Sequence, residues 1–315
     1  MTPALDPTLL DRARGCAVGA AIGDALGMPL EFGPARPLEN LVREMVPGRL
    51  PAGTFTDDTE MALALAESLL HLRPLDPDDL ARRFAAWAMA DPPDIGIQTS
   101  RVLRRVARGE PWATVIAEEQ RRHPDAAGNG SLMRCWPVAL ACWDRPDDLL
   151  RESARQSQVT HSHEDCLAAC ELANATIYYL LRGEAPGQAL DSAAALVRLP
   201  EPFAQTIRAA RSRRREELSN SGWVRHTLES AVWGLLTADT FEDALVSVVN
   251  LGRDADTAGA VVGALAGAAY GYAAVPDRWK VALRGEWPLG SGAIWTTDDI
   301  AHLADRLVGS TSEGR

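Results

Sequence analysis

Two short stretches far apart in the chain carry residues able to hold a hard cation. Gly53-Thr-Phe-Thr-Asp-Asp-Thr-Glu60 sets the adjacent acids Asp57 and Asp58 between Thr56 and Thr59, directly ahead of an Ala/Leu run from Met61 to Leu70. Gly252-Arg-Asp-Ala-Asp-Thr-Ala-Gly259 repeats the arrangement, with Asp254, Asp256 and Thr257 before a second apolar run. Taken alone, the first stretch reads as a capped helix start, since Thr or Asp followed by an acid is the usual signature. Taken together, the two form a set of carboxylate and hydroxyl oxygens without His or Cys, which suits Mg²⁺ or Mn²⁺ and argues against zinc. Side chains at 57 and 58 diverge by roughly 100° on a helix and face different partners. Asp254 and Asp256 share no helical face and are expected on the turn before their helix. Four converging carboxylates repel unless protons or cations intervene; two divalent ions are the economical answer.

The elements that must position these acids are helical. Ala/Leu/Arg/Glu-rich segments recur from end to end and period-two alternation is scarce. The pattern predicts helices near 8–26, 57–72, 77–90, 98–108, 112–122, 131–143, 147–157, 162–182, 186–197, 201–216, 223–236, 241–250, 256–273 and 296–308. No low-complexity linker divides the chain, so a single compact all-α domain over 1–309 is expected, with 310–315 as a flexible tail. Gly15, Gly19, Gly23 and Gly27 recur every fourth residue, as do Gly259, Gly263, Gly267 and Gly271. Residues four apart share a helix face, and each interior glycine costs about 0.8–1.0 kcal/mol against alanine. Close approach of two backbones is the natural reason for such stripes, which are expected to pack against each other or to flank the same partner; pairing them would hold Asp254 and Asp256 beside the first helix.

The other constellations are weaker. Asp24 sits within an apolar helix and reads as a buried hydrogen-bonding group. Glu31 follows the end of that helix, so its role depends on what the helix brings near it. Asp125-Ala-Ala-Gly-Asn-Gly-Ser131 places Asn129, Gly130 and Ser131 ahead of an apolar helix, where free N–H groups can receive an anion; Asn-Gly is equally a common turn. Asp91-Pro-Pro-Asp-Ile-Gly-Ile97 is a similar loop carrying Gly96. In Thr160-His-Ser-His-Glu-Asp165, Thr160 or Ser162 is expected to cap the next helix, His161 to contact a ligand and His163 to lie on the surface. Arg211–Glu217 reads as a solvated helix face with internal ion pairs, and Cys166 and Cys170 as core thiols. GxSxG, P-loop, GxGxxG and HExxH patterns are absent. Among enzyme readings, metal-assisted hydrolysis with carboxylate ligands remains.

Composition narrows the setting. A length of 315 residues, 46% hydrophobic and 24% charged, is ordinary for a soluble globular protein. A net charge of −11 argues against a general binder of nucleic-acid backbones. Five cysteines without a CxxC pair point to a reduced, cytoplasmic compartment. The uncharged run 258–275 is mostly Ala and Gly and reads as a buried core helix, so no membrane partner is expected.

At these residues the chain resembles the ADP-ribosylglycohydrolase family, including its dinitrogenase reductase-activating branch. The matching segments are GCAVGAAIGDALGMPLEF at 15–32, GTFTDDTEMALAL at 53–65, DIGIQTS at 94–100, GNGSLMRCWPVAL at 128–140, VTHSHEDCLAA at 159–169, SGWVRHTLESAVW at 221–233 and VNLGRDADTAGAVVGALAGAAYG at 249–271. The resemblance implies an all-α fold with two Mg²⁺ or Mn²⁺ ions at the bottom of a cleft. It implies Thr56, Asp57, Asp58, Asp254, Asp256 and Thr257 as metal ligands and Glu31 as a catalytic or gating acid. It also implies Asn129, Gly130 and Ser131 as the loop receiving a diphosphate, with Gly96 and His161 lining the ADP-ribose groove. The activity implied is hydrolysis of the bond between ADP-ribose and an acceptor, arginine on a modified protein first. Serine, nucleic-acid or small-molecule conjugates are the alternative, and a non-catalytic ADP-ribose binder the third reading. Glu31, Asp57, Asp58 and Asp256 are the candidate catalytic carboxylates; which takes the proton of the attacking water is left open. The chain departs from the family at Arg253, where Gly is usual, and at His226, where Asp is common.

Overall fold

The computed structural model describes residues 5–310. Among them, fifteen α-helices follow in order. They are α1 Pro7–Gly27, α2 Asp57–His71, α3 Pro77–Met89, α4 Ile97–Ala107, α5 Trp112–Arg122, α6 Trp136–Ala141, α7 Pro146–Gln158 and α8 Glu164–Leu181. After these come α9 Pro186–Leu196, α10 Glu201–Ala210, α11 Val224–Thr237, α12 Phe241–Val249, α13 Ala255–Tyr270, α14 Asp277–Ala282 and α15 Thr297–Gly309. Strands β1 Arg284–Glu286 and β2 Ile294–Thr296 form a short antiparallel hairpin in the register Arg284↔Thr296. Strands this short carry no readable alternation, and the hairpin and α14 escape the sequence pattern. The all-α fold stands.

Two helices make the centre. From Ala13 onward nearly every residue of α1 is buried, and so is α13 from Ala255 to Ala268. A helix apolar all round has no solvent face and must lie inside. The glycine stripes explain how two such helices touch. A Cβ added at Gly19 would stand 2.3 Å from the Gly263 carbonyl oxygen, and one at Gly263 would stand 2.0 Å from that of Gly19. Gly15 meets Gly267 and Gly23 meets Gly259 in the same way, so the helices run antiparallel, backbone on backbone. The ends of the stripes behave differently: Gly27 abuts Ala255, and Gly271 is the left-handed residue ending α13 against Asp11.

Several expected boundaries move. The 131–143 segment is not one helix. Leu132 and Met133 both donate to the Asn129 carbonyl, which closes a turn, and α6 begins only at Trp136 with Pro137 in its first turn. The helix expected over 201–216 stops at Ala210, and Arg213 leaves it to pair with Glu229 of α11. His163, not Thr160 or Ser162, caps α8, its Nδ1 accepting from the Asp165 N–H at 3.1 Å, and it is half-buried. Cys166 and Cys170 are buried free thiols. Ser310 is held by its N–H to Arg306 and its carbonyl to Arg73; the rest of the expected tail lies outside the described residues. No described helix is long and apolar enough to cross a membrane.

Candidate active site

The antiparallel seam carries the C-terminal end of α1 to the N-terminus of α13. Asp24, one turn before the end of α1, is fully buried and reaches across to the start of α2. Thr56 donates to it through N (2.9 Å) and Oγ1 (2.8 Å), and Thr59 through Oγ1 (2.6 Å) and N (3.2 Å). Thr56 therefore does not cap its own helix; Asp24 does so from another element, as the buried hydrogen-bonding group expected of it. Burial pushes the Asp24 carboxyl up to about 6 against the pull of these bonds. One seam and one buried carboxylate thus bring three helix ends together.

Asp57 and Asp58 are the first two residues of α2, and Asp254 precedes α13. Asp256 lies in the first turn of α13. This corrects the expectation that both later acids sit ahead of the helix. Gly252 (φ 68°) and Arg253 (φ 58°) are left-handed and complete the turn early, so the helix starts between the two aspartates. Acids in a first helical turn are favoured by the macrodipole. All four, with Glu31 and Thr257, line one cleft of about 770 Å³, within the size of small-molecule sites.

The buried acids of this cluster are under electrostatic load. Burial, then the neighbouring acids, holds the Asp57, Asp58 and Asp256 carboxyls well above the usual range. Burial also raises Asp254, which Asn129 Nδ2 steadies by donating to Oδ2 at 2.6 Å. Glu31 is pushed up to about 7, chiefly by burial. Asp58 Oδ1 is buried with no hydrogen-bond partner. An orphaned carboxylate oxygen among hard donors is what a divalent cation would satisfy.

Two residues not singled out from sequence belong here. Asp94 comes from the loop before α4, and one carboxylate oxygen each from Glu31, Asp94 and Asp256 lie within 4.8 Å of one another. The Arg49 guanidinium joins them, donating to Glu31 Oε2 at 2.8 Å, to Asp94, and to Asp256 Oδ2 at 3.2 Å. Arg49 lies in an irregular segment with no periodicity. Its one local signal is Gly48, where a Cβ would come 2.7 Å from the Pro29 Cα, pressing the turn onto the residues before Glu31.

The remaining expected residues divide. Gly96, Asn129, Gly130 and His161 line the cleft. Ser131 does not: it is fully buried, its hydroxyl paired with that of Ser157 at 2.8 Å. With 131–134 in a turn, the glycine loop does not open onto a helix N-terminus. Thr56 lies fully buried behind the wall. Arg253 lines the cleft in the left-handed conformation, its N–H donating to Gly33 and its carbonyl accepting from Phe32, itself left-handed (φ 61°). A side chain there costs about 1–2 kcal/mol relative to the glycine usual in the family. His226 stays off the cleft wall, with Nδ1 2.7 Å from Ser221 Oγ and its ring edge-on to Trp223.

A sequence model of the ADP-ribosylglycohydrolase family matches residues 5–315. The ADP-ribosyl-(dinitrogen reductase) glycohydrolase of Rhodospirillum rubrum is 35% identical over 279 residues, 87% of this chain and 90% of its own. ADP-ribosylarginine hydrolase Tri1 of Pseudomonas putida (strain GB-1) is 35% identical over 281 residues, 86% of this chain and 73% of its own. A solved structure described as an ADP-ribosylglycohydrolase-related protein complex matches with a TM-score of 0.76 at 37% identity, covering 96% of this chain and 98% of that one. With similarity of this kind running along nearly the whole chain, the protein belongs to the ADP-ribosylglycohydrolase family and is an enzyme of that hydrolase class.

Proposed function

We propose that this enzyme removes ADP-ribose from arginine side chains of modified proteins in a reaction that depends on divalent cations, two Mg²⁺ or Mn²⁺. The observation that carries the acceptor is Arg49. A guanidinium already rests against Glu31, Asp94 and Asp256 at the cleft, so these three acids have the charge and spacing to receive an arginine head group. Relatives named for ADP-ribosylarginine support the same reading.

Asp57, Asp58, Asp254 and Asp256, with the hydroxyl of Thr257, would hold the cations; the orphaned Asp58 oxygen and the oxygen-only donor set fit them. Bound there, a divalent pair supplies charge neutralisation and orientation of ribose hydroxyls and water. The residues do the rest. Glu31, a carboxyl near neutrality, takes the proton of the water that attacks the anomeric carbon. As the glycosidic C–N bond breaks, its electron pair leaves with the guanidine nitrogen, which takes the proton back from Glu31 and departs as guanidinium against Asp94. Asn129 fixes Asp254, and Gly130 leaves the cleft floor open to the ligand's polar groups.

The test is a panel of arginine-, serine- and nucleotide-linked ADP-ribose incubated with the protein and Mg²⁺. Release from the arginine conjugate is expected. Release from the others alone would reassign the acceptor, and release from none would leave a non-catalytic binder.

A further inference from the structure

Arg134 is fully buried, and among the described residues no carboxylate forms an ion pair with it. A buried unpaired cation costs several kcal/mol, on the order of what a charge loses on leaving water, so its position needs a reason. Its partners are all neutral. Nη2 donates to Thr160 Oγ1 (2.8 Å) and the Gln156 carbonyl (3.2 Å), Nε donates to Gln156 Oε1 (3.3 Å), and the guanidinium lies over the Phe84 ring at 4.3 Å. Thr160 Oγ1 in turn stands 2.8 Å from His161 Nδ1.

This chain of bonds has a direction. An arginine only donates, so the Thr160 oxygen accepts from it. Among the described residues its single proton has one acceptor within reach, His161 Nδ1, so satisfying both groups leaves Nδ1 unprotonated. The imidazole is held neutral by burial and by the Arg134 charge, its pKa lowered to about 3. Its one proton therefore sits on Nε2. Nε2 has no hydrogen-bond partner among the described residues, and the ring lines the cleft. Glycines clear the space beside it: a Cβ at Gly130 would come 2.9 Å from His161 Cε1, and one at Gly128 would come 3.5 Å from Nε2. The backbone is clamped too, His161 N donating to the Ser157 carbonyl at 2.7 Å and Ser157 Oγ to the His161 carbonyl at 2.8 Å.

We propose that Arg134 is a positioning residue which, through the Thr160 hydroxyl, locks His161 as the Nε2–H tautomer and presents that N–H to an acceptor oxygen of the bound ligand. Only the ligand, ADP-ribose, rests on the function proposed above; the tautomer belongs to the free protein. Tautomer and ligand can thus fail separately.

The test reads imidazole ¹⁵N shifts of the labelled free protein at pH 7, together with the Kd of free ADP-ribose. The wild type is expected to show one tautomer, with protonated Nε2 and hydrogen-bonded Nδ1. In Arg134→Met the freed hydroxyl can accept, so an Nδ1–H population should appear and Kd should rise about tenfold. Should that variant not fold, Thr160→Val is expected to raise Kd about tenfold and Thr160→Ser to restore it. A wild type protonated on Nδ1 or doubly protonated overturns the proposal. So does an Arg134→Met variant with the wild-type tautomer and affinity, or a Thr160→Val variant that binds like wild type. If the wild type shows the expected tautomer but free ADP-ribose does not bind, the ligand is wrong and the lock stands.

Discussion

Arg49 Nη2 lies 3.2 Å from Asp256 Oδ2 while its Nη1 holds Glu31 Oε2 at 2.8 Å. One guanidinium therefore bridges the end of the first central helix and the start of the second, at a carboxylate proposed to hold metal. It neutralises the acids when cations are absent and competes when they are present. Arg49→Ala should accordingly act in opposite directions. Thermal stability in chelator should fall by about 1–3 kcal/mol, the scale of a partly buried charge left unpaired. Affinity for Mn²⁺, measured by titration calorimetry, should rise. Weaker Mn²⁺ binding in the variant would show that Arg49 supports the cation site instead.

Asp57→Asn and Asp256→Asn remove charge at two of the most loaded positions. Each should abolish turnover of the arginine conjugate, by a factor of roughly 10³ or more given full loss of metal assistance. Each should also stabilise the metal-free protein, because burial and like charges disfavour the ionised native carboxylates. Activity and a chelator melt on the same sample check both; undiminished hydrolysis in either variant would remove that carboxylate from the site.

The pH dependence of the metal-free protein follows in sign. Asp24 stands at about 6, and Glu60, bonded to Trp87 Nε1, at about 7, both raised mainly by burial. An acid whose native value exceeds its unfolded value keeps a proton that the unfolded chain has lost, so its contribution weakens as pH climbs through that window. Asp24 alone corresponds to about 3 kcal/mol. In chelator, the melting temperature should drop between pH 4.5 and 7.5, and millimolar Mg²⁺ should shrink the drop. A chelated protein that becomes more stable over this range would contradict the charge balance.

Gly19→Ala tests the seam. The added methyl would overlap the Gly263 carbonyl at 2.3 Å with backbone on both sides, so relaxation means separating two helices. A loss of about 3 kcal/mol is expected, at the upper end of overpacking costs and well above the helix-propensity gain of about 1 kcal/mol. Urea denaturation measures it. An unchanged midpoint would mean the two stripes do not meet as described.

Much of this was legible because it rests on pattern. The four-residue glycine spacing announced two helices in backbone contact, and the repeated acid–threonine helix starts announced the cleft their acids share. Asp24 was readable as structural because no solvated face surrounds it. What the sequence hid is held by tertiary contact. Arg49 and Asp94 sit on loops whose aim depends on where distant helices end. Arg134 hides in an apolar run that gives no hint of its partners Gln156 and Thr160. Ser131 was misplaced because Asn129 closes a turn where a helix was expected, which rotates the hydroxyl into the core.

In the proposed reaction the first turn of α2 and the start of α13 share their cations. Crystals grown in chelator and soaked in Mn²⁺ test it through anomalous scattering at the manganese edge. Peaks are expected between Asp57 and Asp58 on one side and Asp254 and Asp256 on the other, lost in Asp256→Asn. Saturating Mn²⁺ that gives no peak there, or one held only by acids elsewhere on the surface, would contradict it.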